Sequence, residues 1–91
     1  MVRYVILMNH KSSDKNLTQL IRYMREASGF SQKDLANRLG IAQTTLSGYE
    51  TGYSEPNFTL IQKIAEICDF DILFLDKTSN VMYRISSGKN D

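Results

Sequence analysis

A single cysteine and a single histidine among 91 residues remove several classes of protein at the outset. One thiol cannot form an internal disulfide framework, and one thiol with one imidazole cannot build a Cys₂His₂ zinc site. Cys68 falls on the apolar arc of a predicted helix and reads as a buried, inert thiol in a reducing compartment. His10 stands in a polar stretch with no serine, cysteine or carboxylate constellation around it, and reads as a solvated linker residue. Nothing gathers a nucleophile, a base and oxyanion donors, so neither an enzyme nor a cofactor or metal is expected. Long apolar runs are missing too. The opening MVRYVILM is short and interrupted by Arg3, and no other stretch approaches the roughly 20 apolar residues of a membrane-spanning helix. The expectation is a cytoplasmic protein with no membrane partner. Nor does one sign of charge dominate, since 11 Lys/Arg stand against 10 Asp/Glu. Their distribution is uneven: residues 1–40 hold seven Lys/Arg and three Asp/Glu, and residues 41–91 hold four and seven, which leaves a basic half to face an anionic partner. There is no internal repeat and no low-complexity tract. A chain of this length buries only about 60–65% of its unfolded surface, so self-association is a natural source of further stability.

What is present is concentrated in residues 31–52, SQKDLANRLGIAQTTLSGYETG. Ser31 can cap the exposed N–H groups of a helix start, and Asp34 three residues on completes an approximate capping box. Leu35, Ala36 and Leu39 form the inward face of this short helix. Gly40 stands where the helix must end in the left-handed region, with Ile41 as the hydrophobic residue that folds back. If residues 43–51 continue as a helix at about 100° per residue, Ala42, Thr45, Leu46 and Tyr49 share an inner arc, and Gln43, Thr44, Ser47, Gly48 and Thr51 share the outer one. The outer arc has no charge and no bulky aliphatic group. It suits a major groove, where Gln can pair with adenine N6/N7 and Thr can touch a thymine methyl. Gly48 costs about 1 kcal/mol of helix propensity relative to Ala, which a close approach to its backbone would explain. Two helices joined by a glycine turn are the format of a helix-turn-helix.

The flanks supply a scaffold. Residues 17–28 put Leu17, Leu20, Ile21, Met24 and Ser28 on one arc, with Asn16 as cap, Gly29 as stop and Phe30 as the returning contact. A fourth helix starts near Pro56 or Asn57 and runs to about Cys68. Phe58, Ile61, Ala65 and Cys68 form its core face, and Leu60, Ile64 and Ile67 widen the apolar arc until a second surface is needed to cover the excess. Residues 2–8 read as a strand, and FDILFL (70–75) and VMYRI (81–85) as a hairpin around the turn formers at 76–80. Its edges call for a partner, either the N-terminal strand or the same element of a second subunit.

The set Ile21-x-x-Met24-Arg25, Gly29-Phe30-Ser31-Gln32, Leu35-Ala36, Leu39-Gly40-Ile41, Glu50-x-Gly52 and Pro56-x-Phe58-x-x-Ile61-x-x-Ile64-Ala65 resembles the Xre/Cro family of phage-repressor-like DNA-binding domains over residues 17–70. The resemblance implies that Gln32 touches a phosphate, that Gln43, Thr44, Ser47 and Gly48 face base edges, and that Arg25 and Glu50 form a structural ion pair. The chain departs from the family at Ala42, where Ser or Thr often caps the recognition helix, and at Tyr53-Ser54-Glu55, where Arg or Lys often meets phosphates. A β-element after the helices also resembles antitoxins that pair with kinase toxins, on element order alone.

The expected architecture is mainly α: a four-helix repressor-like helix-turn-helix domain (17–69) after an N-terminal strand and polar linker (1–16), with a hairpin (70–86) for dimerisation or sheet formation and a polar tail (87–91). The expected function is a sequence-specific regulator, a repressor, that reads an inverted-repeat operator in double-stranded DNA as a homodimer. Base contacts fall to Gln43, Thr44, Ser47 and Gly48, and backbone contacts to Gln32, Lys33, Thr51 and Asn57. An antitoxin that also holds a toxin enzyme, and an interaction module without DNA binding, are the alternatives. The second is suggested by Glu55 and the modest charge.

Overall fold

The computed structural model describes residues 17–85 and, as backbone, the strand β1 (Tyr4–Met8). The expected cap Asn16, the linker around His10 and the tail after Ile85 lie outside the described residues. Four helices follow β1: α1 (Leu17–Ala27), α2 (Gln32–Leu39), α3 (Gln43–Thr51) and α4 (Phe58–Ile67). The strands β2 (Asp71–Asp76) and β3 (Val81–Ile85) complete the fold. The mainly helical architecture with a small added β-element is the one the sequence predicts.

Three of the helices stop by one device. In α2, Gly40 takes φ 73° and donates to Asn37 O at 3.2 Å, and Ile41 donates to Ala36 O at 3.0 Å. These two bonds satisfy carbonyls that the helix end would otherwise leave open. Gly29 and Phe30 end α1 with the same pair of bonds, and Asp69 and Phe70 end α4 with them. Each time the residue after the left-handed position is a large apolar one, and Phe30, Ile41 and Phe70 all pack back on the core. Asp69 holds φ 64° without being glycine, at a cost that only short polar side chains keep small. At the other end of α2, Ser31 Oγ accepts from Asp34 N at 3.0 Å while Asp34 Oδ2 accepts from Ser31 N at 3.4 Å, closing the capping box.

The core joins Ile21 and Met24 of α1, Leu35 and Ala36 of α2, Leu46 of α3, and Ile61, Ile64 and Ala65 of α4 with Cys68 just past its end. Burial of each large aliphatic side chain here contributes about 1.5–3 kcal/mol. Phe58, expected in this core, is exposed instead. It is the first residue of α4 and projects beyond the neighbours that cover the following turn.

The sheet has the order β1-β2-β3. β1 runs parallel to β2, with Tyr4 opposite Asp71 and Met8 opposite Leu75, so the four helices together form the crossover that a parallel pair requires. β3 returns antiparallel, pairing Ile72 with Ile85 and Phe74 with Tyr83. Asp76 shapes the turn, its Oδ1 accepting from Thr78 N at 2.9 Å, and Asn80 donates to Asp76 O at 2.7 Å from a left-handed φ of 60°. Ile72 is buried and Ile85 packs against the core, so that end of the sheet, with Phe70, covers part of the wide apolar arc of α4. Toward the tip the same face is open: Phe74, Val81 and Tyr83 are all exposed.

Candidate nucleic-acid interface

α3 starts without a side-chain cap. Ala42 has the extended conformation of an N-cap (φ −71°, ψ 147°) and accepts through its backbone oxygen from Thr45 N and Leu46 N, but offers no side-chain acceptor. Only Leu46 and Glu50 of this helix are buried, with Tyr49 half-buried beside them. Gln43, Thr44 and Thr51 are exposed, and Ser47 and Gly48 are half-buried. Ala42 and Thr45, assigned to the inner arc from the helical period, are exposed. The inner arc is narrower than the period suggests because the first turn of α3 extends past the scaffold that receives Leu46.

The end of α3 is held by a network built on Glu50, the only buried charged residue among those described. Arg25 Nε donates to Glu50 Oε2 at 2.7 Å and Arg25 Nη2 to Oε1 at 3.0 Å, a two-point clamp in which the side chains are 12% and 4% exposed. Arg25 Nη1 donates to Phe30 O at 2.9 Å, and Gln32 Nε2 donates to Glu50 Oε1 at 3.1 Å. The Glu50 carboxylate raises the pKa of Arg25 above its ordinary value, an effect that partial burial opposes and the nearby Glu26 reinforces. The network therefore ties α1, the turn after it and the start of α2 to the last turn of the exposed helix. It fixes the angle at which that helix stands on the body.

The remaining candidates surround this rod. Gln32 is half-buried, with one amide hydrogen engaged by Glu50 and a second hydrogen on the same nitrogen. Lys33 is exposed on the first turn of α2. Thr51 Oγ1 donates to Gly48 O at 3.3 Å. Asn57 Oδ1 caps α4 by accepting from Leu60 N at 2.8 Å, and the residue itself is exposed. Gln43, Thr44, Ser47, Gly48 and Thr51 thus share one helix, with Lys33 and Asn57 at the starts of two others.

Sequence reasoning missed the loop that follows. Gly52 turns the chain at φ 83°, and Ser54 N donates to Gly48 O at 3.3 Å, so the loop folds back on the helix. A Cβ at Gly48 would lie 3.2 Å from Ser54 Oγ and 3.7 Å from Tyr53 Cδ2. The close approach inferred from Gly48 is made by the protein's own loop. The unfavourable glycine in α3 was the available signal, but nothing local said which segment would occupy the space.

A helix-turn-helix family profile matches residues 21–75, more than half of the chain. Among curated proteins, an uncharacterized HTH-type transcriptional regulator, y4dL, of Sinorhizobium fredii is 33% identical over 63 residues, covering 69% of this chain and 32% of that protein. The SPbeta prophage-derived uncharacterized HTH-type transcriptional regulator YonR of Bacillus subtilis is 28% identical, covering 78% of this chain and 66% of the relative. Antitoxin HipB of Escherichia coli is 27% identical, covering 70% and 68% respectively. The chain thus spans about a third of the first relative and two thirds of the others. No solved structure matches it. Among the described residues no helix is long and apolar enough to cross a membrane. With the glycine turn between α2 and α3, the Arg25–Glu50 clamp and the profile match all in the same segment, the chain belongs to the Xre/Cro-like helix-turn-helix family.

Proposed function

We propose that this protein is a sequence-specific DNA-binding transcriptional regulator, a repressor, that reads an inverted-repeat operator through the major groove as a cytoplasmic homodimer. The observation that carries the reading is the outer side of α3, where Gln43 and Thr44 are exposed and uncharged on a helix clamped at its far end by Arg25 and Gln32. A rigid rod with short polar side chains can enter a groove about 12 Å wide and present one amide and several hydroxyls to base edges. Gln43, Thr44, Ser47 and Gly48 are the base-reading positions, and Gln32, Lys33, Thr51 and Asn57 hold the backbone. The names of two relatives as HTH-type transcriptional regulators support the same reading.

A homodimer is favoured by the β-element. Phe74, Val81, Met82 and Tyr83 are all exposed, and β3 has a ladder partner on one side only among the described residues. Such an edge invites a second copy, and two copies about a two-fold axis put recognition helices about 34 Å apart on successive major grooves. The likeness to antitoxin HipB favours a second reading, in which the protein also binds a toxin enzyme. Co-purification of an unrelated chain separates the two.

The test is a shift titration on a site selected from random DNA. Gln43→Ala is expected to flatten preference among site variants, losing about 1–3 kcal/mol at the base it reads. Lys33→Ala is expected to weaken all DNA alike and to reduce the salt slope by about 1. Unchanged discrimination by the Gln43 variant refutes the assigned face, and an affinity insensitive to salt refutes DNA binding as such.

A further inference from the structure

Resting on the DNA-binding reading above, we propose that Tyr53 is a further base-reading residue, its ring standing over the backbone of Gly48 in place of the side chain that Gly48 lacks. The helical period puts Gly48 on the outer arc of α3 together with the exposed Thr44, and the loop after the helix takes the space a side chain at Gly48 would occupy. The space where its Cβ would be is bounded by the next loop: Tyr53 Cδ2 lies 3.7 Å and Tyr53 Cβ 3.9 Å from that point, with Ser54 Oγ at 3.2 Å. The arrangement is held from two sides. Ser54 N donates to Gly48 O, and Gly52 makes the left-handed turn that brings the loop back.

Tyr53 is 90% exposed, more than any other large apolar or aromatic side chain among the described residues. Its nearest rivals have local reasons for their position: Tyr23 stands edge-on to Phe70, and Tyr83 lies opposite Phe74 in the sheet. An aromatic side chain can bury about 150–250 Å², and Tyr53 leaves nearly all of that potential unused in the free protein. Two side-chain torsions are all that must be fixed on contact, so the ordering cost is low for the area delivered. In a major groove the ring can pack on a thymine methyl, and the phenol can donate to guanine O6 or N7 or to thymine O4. Between the backbone-holding Thr51 and Asn57, residues 52–56 carry no Lys or Arg that would pull the tip of the loop onto a phosphate, which leaves Tyr53 to meet base edges.

The experiment uses the full chain and random-library DNA. Wild type is selected first; Tyr53→Ala and Tyr53→Phe are then selected in parallel, with melting temperatures confirming that the variants remain folded. Tyr53→Ala is expected to lose about tenfold in affinity for the wild-type site, with preference lost at one or two base pairs distinct from those affected by Gln43→Ala. Retention of that preference by Tyr53→Phe assigns the contact to the ring, and its loss assigns it to the phenol. A Tyr53→Ala variant with the wild-type site and affinity overturns the proposal and leaves the DNA reading standing, as does an equal weakening on every sequence, which would mark a backbone contact. A wild type that enriches no sequence overturns both.

Discussion

Glu50→Gln changes one atom type in the clamp and removes its charge, which isolates what the carboxylate contributes. Three donors converge on Glu50: Arg25 Nε, Arg25 Nη2 and Gln32 Nε2. An amide offers one acceptor oxygen and turns N–H groups toward donors, so Arg25 keeps only one Glu50-side contact and its bond to Phe30 O. Removing one member of a buried ion pair costs about 3–5 kcal/mol. Because the Arg25 side chain is 12% exposed and keeps some access to water, the lower end, about 3 kcal/mol, is expected. In a domain with a total stability of about 5–15 kcal/mol this is a large loss, and at this chain length it corresponds to about 12–24 °C in Tm. Urea unfolding checks it, as a lower midpoint at constant slope. The companion variant replaces Arg25 and Glu50 together with Met and Leu, and is expected to recover most of the loss because no uncompensated charge remains, the shortfall being the bonds to Phe30 O and from Gln32 that go with the pair. A Glu50→Gln protein within about 0.5 kcal/mol of wild type refutes the argument, since an ordinary surface substitution does no more. A double variant as unstable as the single would move the cause from charge to packing. The pKa shift adds a sign. Arg25 is raised when folded, so its contribution is complete below its unfolded pKa and lost only as pH rises through the folded value in strong alkali, and the neutral range tests the clamp intact.

Two further substitutions probe the helix ends. Ala42→Ser supplies the missing acceptor at the start of α3, where the backbone already has the geometry of a cap, and is expected to stabilise the protein by about 1 kcal/mol, read as a higher denaturation midpoint. Asp69→Gly relieves the left-handed position at the end of α4 and is expected to gain about 0.5–1 kcal/mol, seen as a rise of a few degrees in Tm; no gain would mean that the Asp69 side chain offsets the strain through interactions of its own.

How far the sequence reveals this fold depends on how local each feature is. The capping box of Ser31 and Asp34 and the stop at Gly40 involve residues three or four apart, so their chemistry is complete within the segment. The limits of an arc are another matter. Phe58, Ala42 and Thr45 all stand at or near the first turn of a helix, where the period still assigns a side but the packing partner has run out. Strand pairing was half legible. The unpaired edges of the hairpin call for a further strand, yet alternation cannot choose between a partner in the same chain and one in another, and the parallel register with β1 had to come from the three-dimensional arrangement. The donation of Gln32 to Glu50 and the seating of Tyr53 over Gly48 depend on the helix crossing and the loop path, neither of which has a periodic signature.

The placement of β1 has a kinetic consequence. Its ladder with β2 closes around the whole helical body, a longer stretch of chain than any contact among the helices encloses. Closure of so large a loop brings its entropic cost before any strand contact repays it, and such non-local pairing is slow compared with helix assembly. Tyr4–Met8 precedes every helix in the chain, and it is expected to be the last element locked in place.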